Sequence, residues 1–298
     1  MPPSRRNAGL AVGVLLALLS AATPAHAVRL RDMTGREVML ASEPKRIVSL
    51  VPSVTELIYA LGGEERLVGV TDFCDWPPAA RQKPSVGGMI NPNLEVLATL
   101  RPDLVIATDA GNRQETFVHL RELGIAVYLV HARHLAEVMD VTARLGALTG
   151  REAAVAPVTA GLGRRIQAVT RAVAPFRKPR VLYVLWPEPL IVPGRDALIG
   201  DLILAAGGDS ITAAEPSDYP RFSLEAAVAR APEVILLADH GSGTGAIPRQ
   251  KWDRLTSLPA VRSGRIHSVN GTLLHRYGPR LVEGLEQLAR AIHPEAFR

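Results

Sequence analysis

Short runs of β-branched and other apolar residues alternate along the chain with segments whose apolar positions recur every three or four residues. The first kind predicts buried strands, as at 46–50, 104–108 and 234–238. The second kind predicts amphipathic helices, as at 135–148 and 279–292. Alternation of strands and helices is typical of folds in which helices cover a mostly parallel sheet. The pattern therefore predicts an α/β protein.

One stretch, residues 151–175, contains no strand signal and has a helical pattern, with Glu152 in its first turn. A helix of this length would reach about 35 Å. Pro157 and two glycines should kink or shorten it. We nevertheless predict one connecting helix here, between an N-terminal α/β lobe at 28–150 and a C-terminal α/β lobe at 176–298.

A short sequence motif occurs once in each predicted lobe. Each copy has a capping residue, a leucine, a glutamate, an apolar helical segment, a proline and a buried strand, and the copies begin at Asn93 and Ser223. The glutamates, Glu95 and Glu225, both precede their prolines by seven residues. The helix dipole favours a carboxylate at this position and explains either glutamate alone. Equivalent positions in paired lobes also suggest docking to a symmetric partner through arginines.

The first 27 residues have the features of a secretory signal peptide. Arg5 and Arg6 precede an apolar run at 10–19, and small residues flank His26 as at a signal peptidase site. Ten apolar residues are too few for a membrane-spanning helix, which needs about 20. We therefore expect cleavage near Ala27 and a soluble mature chain in the periplasm.

Charge, cysteine content and missing motifs narrow the function classes. The formal net charge is +5, but the cations are not clustered with aromatic residues, so no nucleic-acid partner is expected. Cys74 is the only cysteine, so no disulfide can form within the chain. The sequence has no G-x-S-x-G, phosphate-loop or H-E-x-x-H motif. These features favour a binding protein without catalytic residues, bound metal or cofactor. We also expect the protein to be a monomer.

Several aromatic residues fall in loops after the predicted strands, where open α/β sheets bind ligands. Aromatic residues make up only 4% of the chain, so their presence here suggests a cleft for a large, flat ligand. Ser53 should also cap the first helix. The candidate ligand-binding residues are Ser53, Trp76, Met89, Trp186, Tyr219, His275 and Tyr277.

Histidines leave two alternatives open. His131 and His134 are three residues apart, a spacing that could suit zinc in an exported metal-dependent hydrolase. However, His131 should end a strand and His134 should begin the next helix, and no third ligand is nearby in the sequence. His240 and His275, expected at strand ends facing the cleft, could instead ligate a metal centre within a bound ligand.

Several segments resemble the family of periplasmic vitamin B12-binding proteins, and the similarity extends over nearly all of residues 45–293. They are Asp75-Trp76-Pro77-Pro78, 86–95, 101–107, 222–225 and 277–280. The resemblance implies two α/β lobes on a single helix, as in class III periplasmic binding proteins. It also implies delivery of a corrinoid, cobalamin, to an ABC importer. Glu95 and Glu225 would then contact arginines on its two permease subunits.

The resemblance also bears on the ligand. Trp76 and Tyr219 match aromatic cleft positions of the family, and Ser53 lies in its first cleft loop. In contrast, Met89 and Thr108 stand where the family has tryptophans, and His275 stands where it has an acid. A receptor for haem or a ferric siderophore, which shares the fold, is therefore the alternative.

Overall fold

A computed structural model describes residues 27–240 and 249–298. The predicted signal peptide, apart from Ala27, lies outside the described residues. The chain forms two α/β lobes joined by one long helix, so the predicted fold class is confirmed. None of the described helices combines the length and apolar content of a membrane span.

The N-terminal lobe contains a parallel four-stranded sheet in the order β4-β3-β5-β6. An antiparallel hairpin precedes it. The strands are β1 (Val28–Arg31), β2 (Glu37–Leu40), β3 (Ile47–Ser49), β4 (Leu67–Val70), β5 (Leu104–Ala107) and β6 (Val127–Leu129). The helices are α1 (Pro52–Ala60), α2 (Leu94–Thr99), α3 (Gln114–Glu122) and α4 (Leu135–Thr149), with short 3₁₀ turns at Glu64–Arg66 and Pro78–Gln82.

The connecting helix is α5 (Glu152–Val173), which runs without a break for 22 residues. The expectation that Pro157 would shorten it is wrong. A proline this close to the start removes only one helical hydrogen bond. The loss is offset by the burial of apolar side chains on one face of the helix, among them Val169 and Val173, which belong to the core cluster shared by both lobes.

The C-terminal lobe repeats this plan with a parallel sheet in the order β10-β7-β11-β12 and a small antiparallel hairpin of β8 and β9. The strands are β7 (Arg180–Val184), β8 (Trp186–Pro187), β9 (Leu190–Ile191), β10 (Asp209–Ser210), β11 (Val234–Asp239) and β12 (Ile266–Asn270). The helices are α6 (Leu198–Ala205), α7 (Leu224–Ala229), α8 (Arg249–Asp253), α9 (Pro259–Arg262), α10 (Gly271–Leu274) and α11 (Leu281–Ile292), with a final 3₁₀ turn at Pro294–Phe297.

The apolar core is continuous from one lobe to the other. A single cluster of buried side chains includes residues of α1, α4, α5, α6 and α11 together with both sheets. The opposite face of each sheet has a smaller core of its own, formed with α2 and α3 in the first lobe and with α7, α8 and α9 in the second. Moving the lobes far apart would expose the shared cluster to water, which is unfavourable.

Candidate functional site

A cavity of about 340 Å³ lies where loops at the carboxyl ends of both sheets meet. Its walls include residues that follow β3, β5 and β6 in the first lobe and β7 in the second. Ligand sites in open α/β sheets occur at this edge. The cavity is therefore the candidate ligand site.

Five of the seven candidate ligand-binding residues line this cavity. They are Ser53, Met89, Tyr219, His275 and Tyr277. The remaining two, Trp76 and Trp186, are outside its lining and are 44% and 39% exposed. The guanidinium carbon of Arg280 lies 4.8 Å from the centre of the Trp76 ring, and the Trp186 indole N–H donates to the Glu188 carbonyl at 3.0 Å.

His275 is at the centre of a polar aromatic wall. Its Nε2 is hydrogen bonded to the Tyr183 hydroxyl at 3.0 Å, and its Nδ1 to the Tyr219 hydroxyl at 3.4 Å. Burial, together with the His240 ring 5.5 Å away, lowers the pKa of His275 to about 3. Burial likewise raises the pKa of Tyr219 above its usual range. At neutral pH this wall is therefore uncharged and can both donate and accept hydrogen bonds.

Two sequence-based placements in this region are wrong. His275 follows α10 as its C-terminal cap rather than ending a strand, because the chain turns into a helix directly after β12. Ser53 does not cap α1: the cap position is Val51, without a side-chain bond, and Pro52 takes the first helical position. Proline suits that position because its missing N–H would have no helical partner there. Ser53 is instead a buried residue of the cavity wall.

Asn112 fixes the loop that carries Met89. Its side-chain amide donates to the Met89 carbonyl at 2.7 Å and accepts from the Thr108 N–H at 2.8 Å. On the same side of the cavity, the Tyr277 hydroxyl is buried close to Thr108 without forming a hydrogen bond of good geometry. A bound polar group could complete the hydrogen bonding of this hydroxyl.

A charged group at the cavity, formed by Asp109, His131 and Arg133, was not among the predicted ligand-binding residues. Arg133 donates to Asp109 Oδ2 at 3.0 Å, and His131 Nδ1 lies 3.2 Å from Asp109 Oδ1. Arg133 and His131 both line the cavity. Because they follow β6, the rule that ligands bind at strand ends would have identified them if it had been applied to that strand too.

The His131 and His134 pair does not form a zinc site in the structure. His131 faces Asp109, whereas His134 begins α4 and its Nδ1 lies 3.4 Å from Asp201 of the second lobe. Within the described ranges, no three His, Cys, Asp or Glu residues are grouped as metal ligands. The two imidazoles therefore have separate acidic partners.

Glu95 and Glu225 occupy the same position in two matching helices. Each is the second residue of its helix, α2 or α7, and each is exposed. The preceding caps also match: Asn93 Oδ1 accepts from the N–H groups of Glu95 and Val96, and Ser223 Oγ accepts from Ala226. Neither carboxylate forms an ion pair with any other described residue. Both are therefore available to a partner.

The environment of Glu225 favours its charged form. Its own backbone N–H and the Ser223 hydroxyl lower the pKa of the Glu225 carboxyl. A carboxylate at the start of a helix is favoured in the same way by the helix dipole.

Known proteins are similar to this chain over most of its length. The profile of the family described as periplasmic binding protein matches residues 47–271. A cobalamin-binding protein of Halobacterium salinarum is 33% identical over 88% of this chain and 73% of its own. An uncharacterized ABC transporter substrate-binding lipoprotein of Bacillus subtilis is 30% identical over 93% of this chain and 88% of its own.

Solved structures give the same picture. The periplasmic vitamin B12 binding protein BtuF of Vibrio cholerae superposes with a TM-score of 0.73 at 28% identity, covering 86% of this chain and 99% of that one. A periplasmic heme binding protein of Pseudomonas aeruginosa superposes with a TM-score of 0.74 at 30% identity, covering 84% of this chain and 93% of that one.

Proposed function

The chain belongs to the periplasmic binding protein family, and from this premise we propose that it captures a corrinoid, cobalamin, and delivers it to an ABC importer. The main support is the uncharged polar wall that His275 and Tyr219 form in the cavity between the lobes, with the buried Tyr183 hydroxyl hydrogen bonded to His275 behind it. A corrinoid has a broad ring system bordered by amide side chains, which need both donors and acceptors. The similarity to cobalamin-binding and vitamin B12-binding proteins supports the same ligand.

We assign different contacts to the two groups of candidate residues. Ser53, Met89, Tyr219, His275 and Tyr277 would form the wall against the ring. Trp76 and Trp186 would contact outer parts of a ligand that is larger than the enclosed space. Both tryptophans adjoin the cavity. Trp186 directly follows Leu185, which lines the cavity, and Trp76 directly follows Asp75, which accepts a hydrogen bond from Arg276 of the cavity lining. An exposed aromatic ring beside a cleft can bury a large apolar area when a ligand arrives.

Delivery requires a second surface. We propose that Glu95 and Glu225 each dock into an arginine pocket on one of two permease subunits, since a bidentate arginine–carboxylate pair is strong and specific in orientation. The protein would act in the periplasm as a monomer, after removal of a signal peptide near Ala27. In this function it binds and releases its ligand without catalysis and without a metal or cofactor of its own.

Haem is the second candidate ligand. It is favoured by the paired rings of His240 and His275 beside the cavity and by the similarity to a heme binding protein. Imidazole is a common ligand of haem iron. Because both ring nitrogens of His275 are hydrogen bonded to tyrosine hydroxyls, iron binding there would require one of these bonds to break.

The ligand is identified by absorbance titration of the purified protein with cyanocobalamin, cobinamide and haemin in parallel. We expect saturable binding of one cyanocobalamin per chain. Saturable binding of haemin alone would contradict the corrinoid assignment and support the haem alternative. Comparison of cobinamide with cyanocobalamin shows whether the nucleotide portion of the corrinoid contributes to affinity.

A further inference from the structure

A buried carboxylate crosses the boundary between the lobes. The Glu56 side chain, on α1 of the first lobe, is only 1% exposed. Arg280 of the second lobe donates to it twice, from Nε to Oε2 at 3.1 Å and from Nη2 to Oε1 at 2.6 Å. Arg276, also in the second lobe, donates to Oε1 at 3.4 Å. One side chain of the first lobe therefore holds two arginines of the other.

Two neighbours of the first lobe extend this contact. Arg276 donates to Asp75 Oδ1 at 2.6 Å, and the Arg280 guanidinium lies over the Trp76 ring. Although burial opposes ionisation of Asp75, the hydrogen bond from Arg276 lowers the pKa of its carboxyl. We call the five residues Glu56, Asp75, Trp76, Arg276 and Arg280 the lobe-bridging cluster.

The backbone between the two arginines also rests on Glu56. A Cβ added to Gly278 would lie 2.7 Å from Glu56 Oε2, so a larger residue would push the carboxylate away. The segment 275–280 thus packs directly against α1. The same segment supplies His275, Arg276 and Tyr277 to the cavity wall.

A buried carboxylate is tolerated only where its partners are fixed in position, because an unpaired buried charge is strongly unfavourable. The fork of Arg280 on both oxygens of Glu56 also restricts the angle between the paired groups. The contact therefore constrains the distance and the orientation of the second lobe relative to α1.

We propose that Glu56 is a positioning residue for ligand binding and docking. By holding segment 275–280 against the first lobe, it sets the width of the cavity and the separation of α2 and α7. The significance of that separation rests on the proposed docking of Glu95 and Glu225. The constraint on lobe position itself is a property of the ligand-free protein.

The experiment measures the separation of α2 and α7 in ligand-free protein by double electron–electron resonance. Spin labels are placed at Val96→Cys and Ala229→Cys, two exposed sites on these helices. The native Cys74 is 2% exposed, and protein without the added cysteines shows whether it takes up label. We expect one narrow distance distribution in the parent and a distinctly broader or longer one in Glu56→Gln.

Glu286→Gln is the matched control, because it removes an arginine–carboxylate pair at 2.9 Å between α5 and α11 and leaves the cluster intact. It should preserve the narrow distribution. An unchanged distribution in Glu56→Gln would overturn the proposal. If that variant fails to fold, Arg280→Lys replaces it: the charge remains but the two-oxygen contact is lost, and an unchanged distribution there would equally overturn the proposal.

A second readout separates this proposal from the ligand assignment. Where the parent binds cyanocobalamin, the ligand should dissociate about tenfold faster from Glu56→Gln, because a cavity wall that is held less firmly loses contacts with the bound ligand and such losses appear mainly in the dissociation rate. Broadening of the distance distribution in a protein that binds no corrinoid would refute the ligand assignment alone. Broadening without faster dissociation would contradict the role of Glu56 in positioning the cavity wall.

Discussion

Burial determines the chemistry of the histidine in the cavity wall. The pKa of His275 is about 3 in the folded protein, whereas an unperturbed histidine titrates near 6.5. Between these values the unfolded chain binds a proton that the native protein does not. The contribution of His275 to the free energy of unfolding is therefore complete above about pH 6.5. This contribution is lost as the pH falls toward about 3.

His275→Gln should remove this part of the pH dependence. One proton taken up on unfolding changes the free energy of unfolding by at most about 1.4 kcal/mol per pH unit. The free energy of unfolding is measured by denaturant titration from about pH 4 to about pH 7. As the pH falls across this range, it should decline less steeply in the variant than in the parent. His119→Gln, at an exposed position on α3, should retain the parent slope. Equal slopes in parent and His275→Gln would contradict the account of this residue.

Tyr219 contributes both a ring surface and a hydroxyl to the cavity. Tyr219→Ala removes the ring and the hydrogen bond to His275 Nδ1. Truncation of a central aromatic contact typically costs about 2 kcal/mol or more, so cyanocobalamin should bind at least about tenfold more weakly in the titration. Phe297→Ala, outside the cavity lining, should bind like the parent. Unchanged affinity of Tyr219→Ala would exclude Tyr219 from the site.

At the residue scale, the sequence predicted the loops better than the side chains. The strand-end rule led to loops whose residues Met89, Tyr219 and Tyr277 line the cavity in the structure. It could not tell that Trp76 would lie under Arg280, because the direction of a loop side chain depends on partners distant in sequence. The lobe-bridging role of Glu56 was missed for the same reason, since Arg276 and Arg280 are more than 200 positions away.

Helix α5 is the element that most directly links the lobes, and its glycines allow a paired test. Gly163 faces open space, with nothing within 4 Å of an added Cβ. Gly163→Ala should therefore raise the free energy of unfolding by about 0.5–1 kcal/mol, because alanine loses less backbone entropy in a helix.

The matched variant is Gly146→Ala on α4. An added Cβ there would collide with Val155 Cγ2 of α5, and overpacking of this kind typically costs about 1–3 kcal/mol. Denaturant titration of both variants gives the comparison. Equal effects of the two substitutions would contradict the close packing of α4 on α5.

Elements with a strong period were predictable and very short ones were not. The strands β5 and β11 and the helices α4 and α11 are where the apolar pattern predicts them, within a few residues. The two-residue strands β8, β9 and β10 were missed, because two residues cannot show a period. Helix α5 continues through Pro157 because contacts with both lobes stabilise it. These contacts join residues distant in sequence, so the local sequence pattern could not predict them.

At the scale of the whole molecule, two features act together. The continuous core and the lobe-bridging cluster favour one relative position of the lobes. That position fixes the spacing of α2 and α7, and so of the exposed Glu95 and Glu225. A rigid pair of carboxylates suits a two-fold symmetric partner, because both contacts form without a further loss of conformational freedom.

The central claim is that one surface of the molecule binds the ligand and another delivers it. Uptake of radiolabelled cyanocobalamin by cells of the source organism tests this claim most directly. In these cells the chromosomal copy of the gene is replaced by one that encodes the Glu95→Lys/Glu225→Lys double variant. The control is Glu115→Lys/Glu152→Lys, two exposed glutamates that also lie in the first turns of helices. We expect the first variant to abolish uptake while the purified protein binds cyanocobalamin as the parent does, and the control to support normal uptake. Uptake at the parent rate by the first variant would contradict the account.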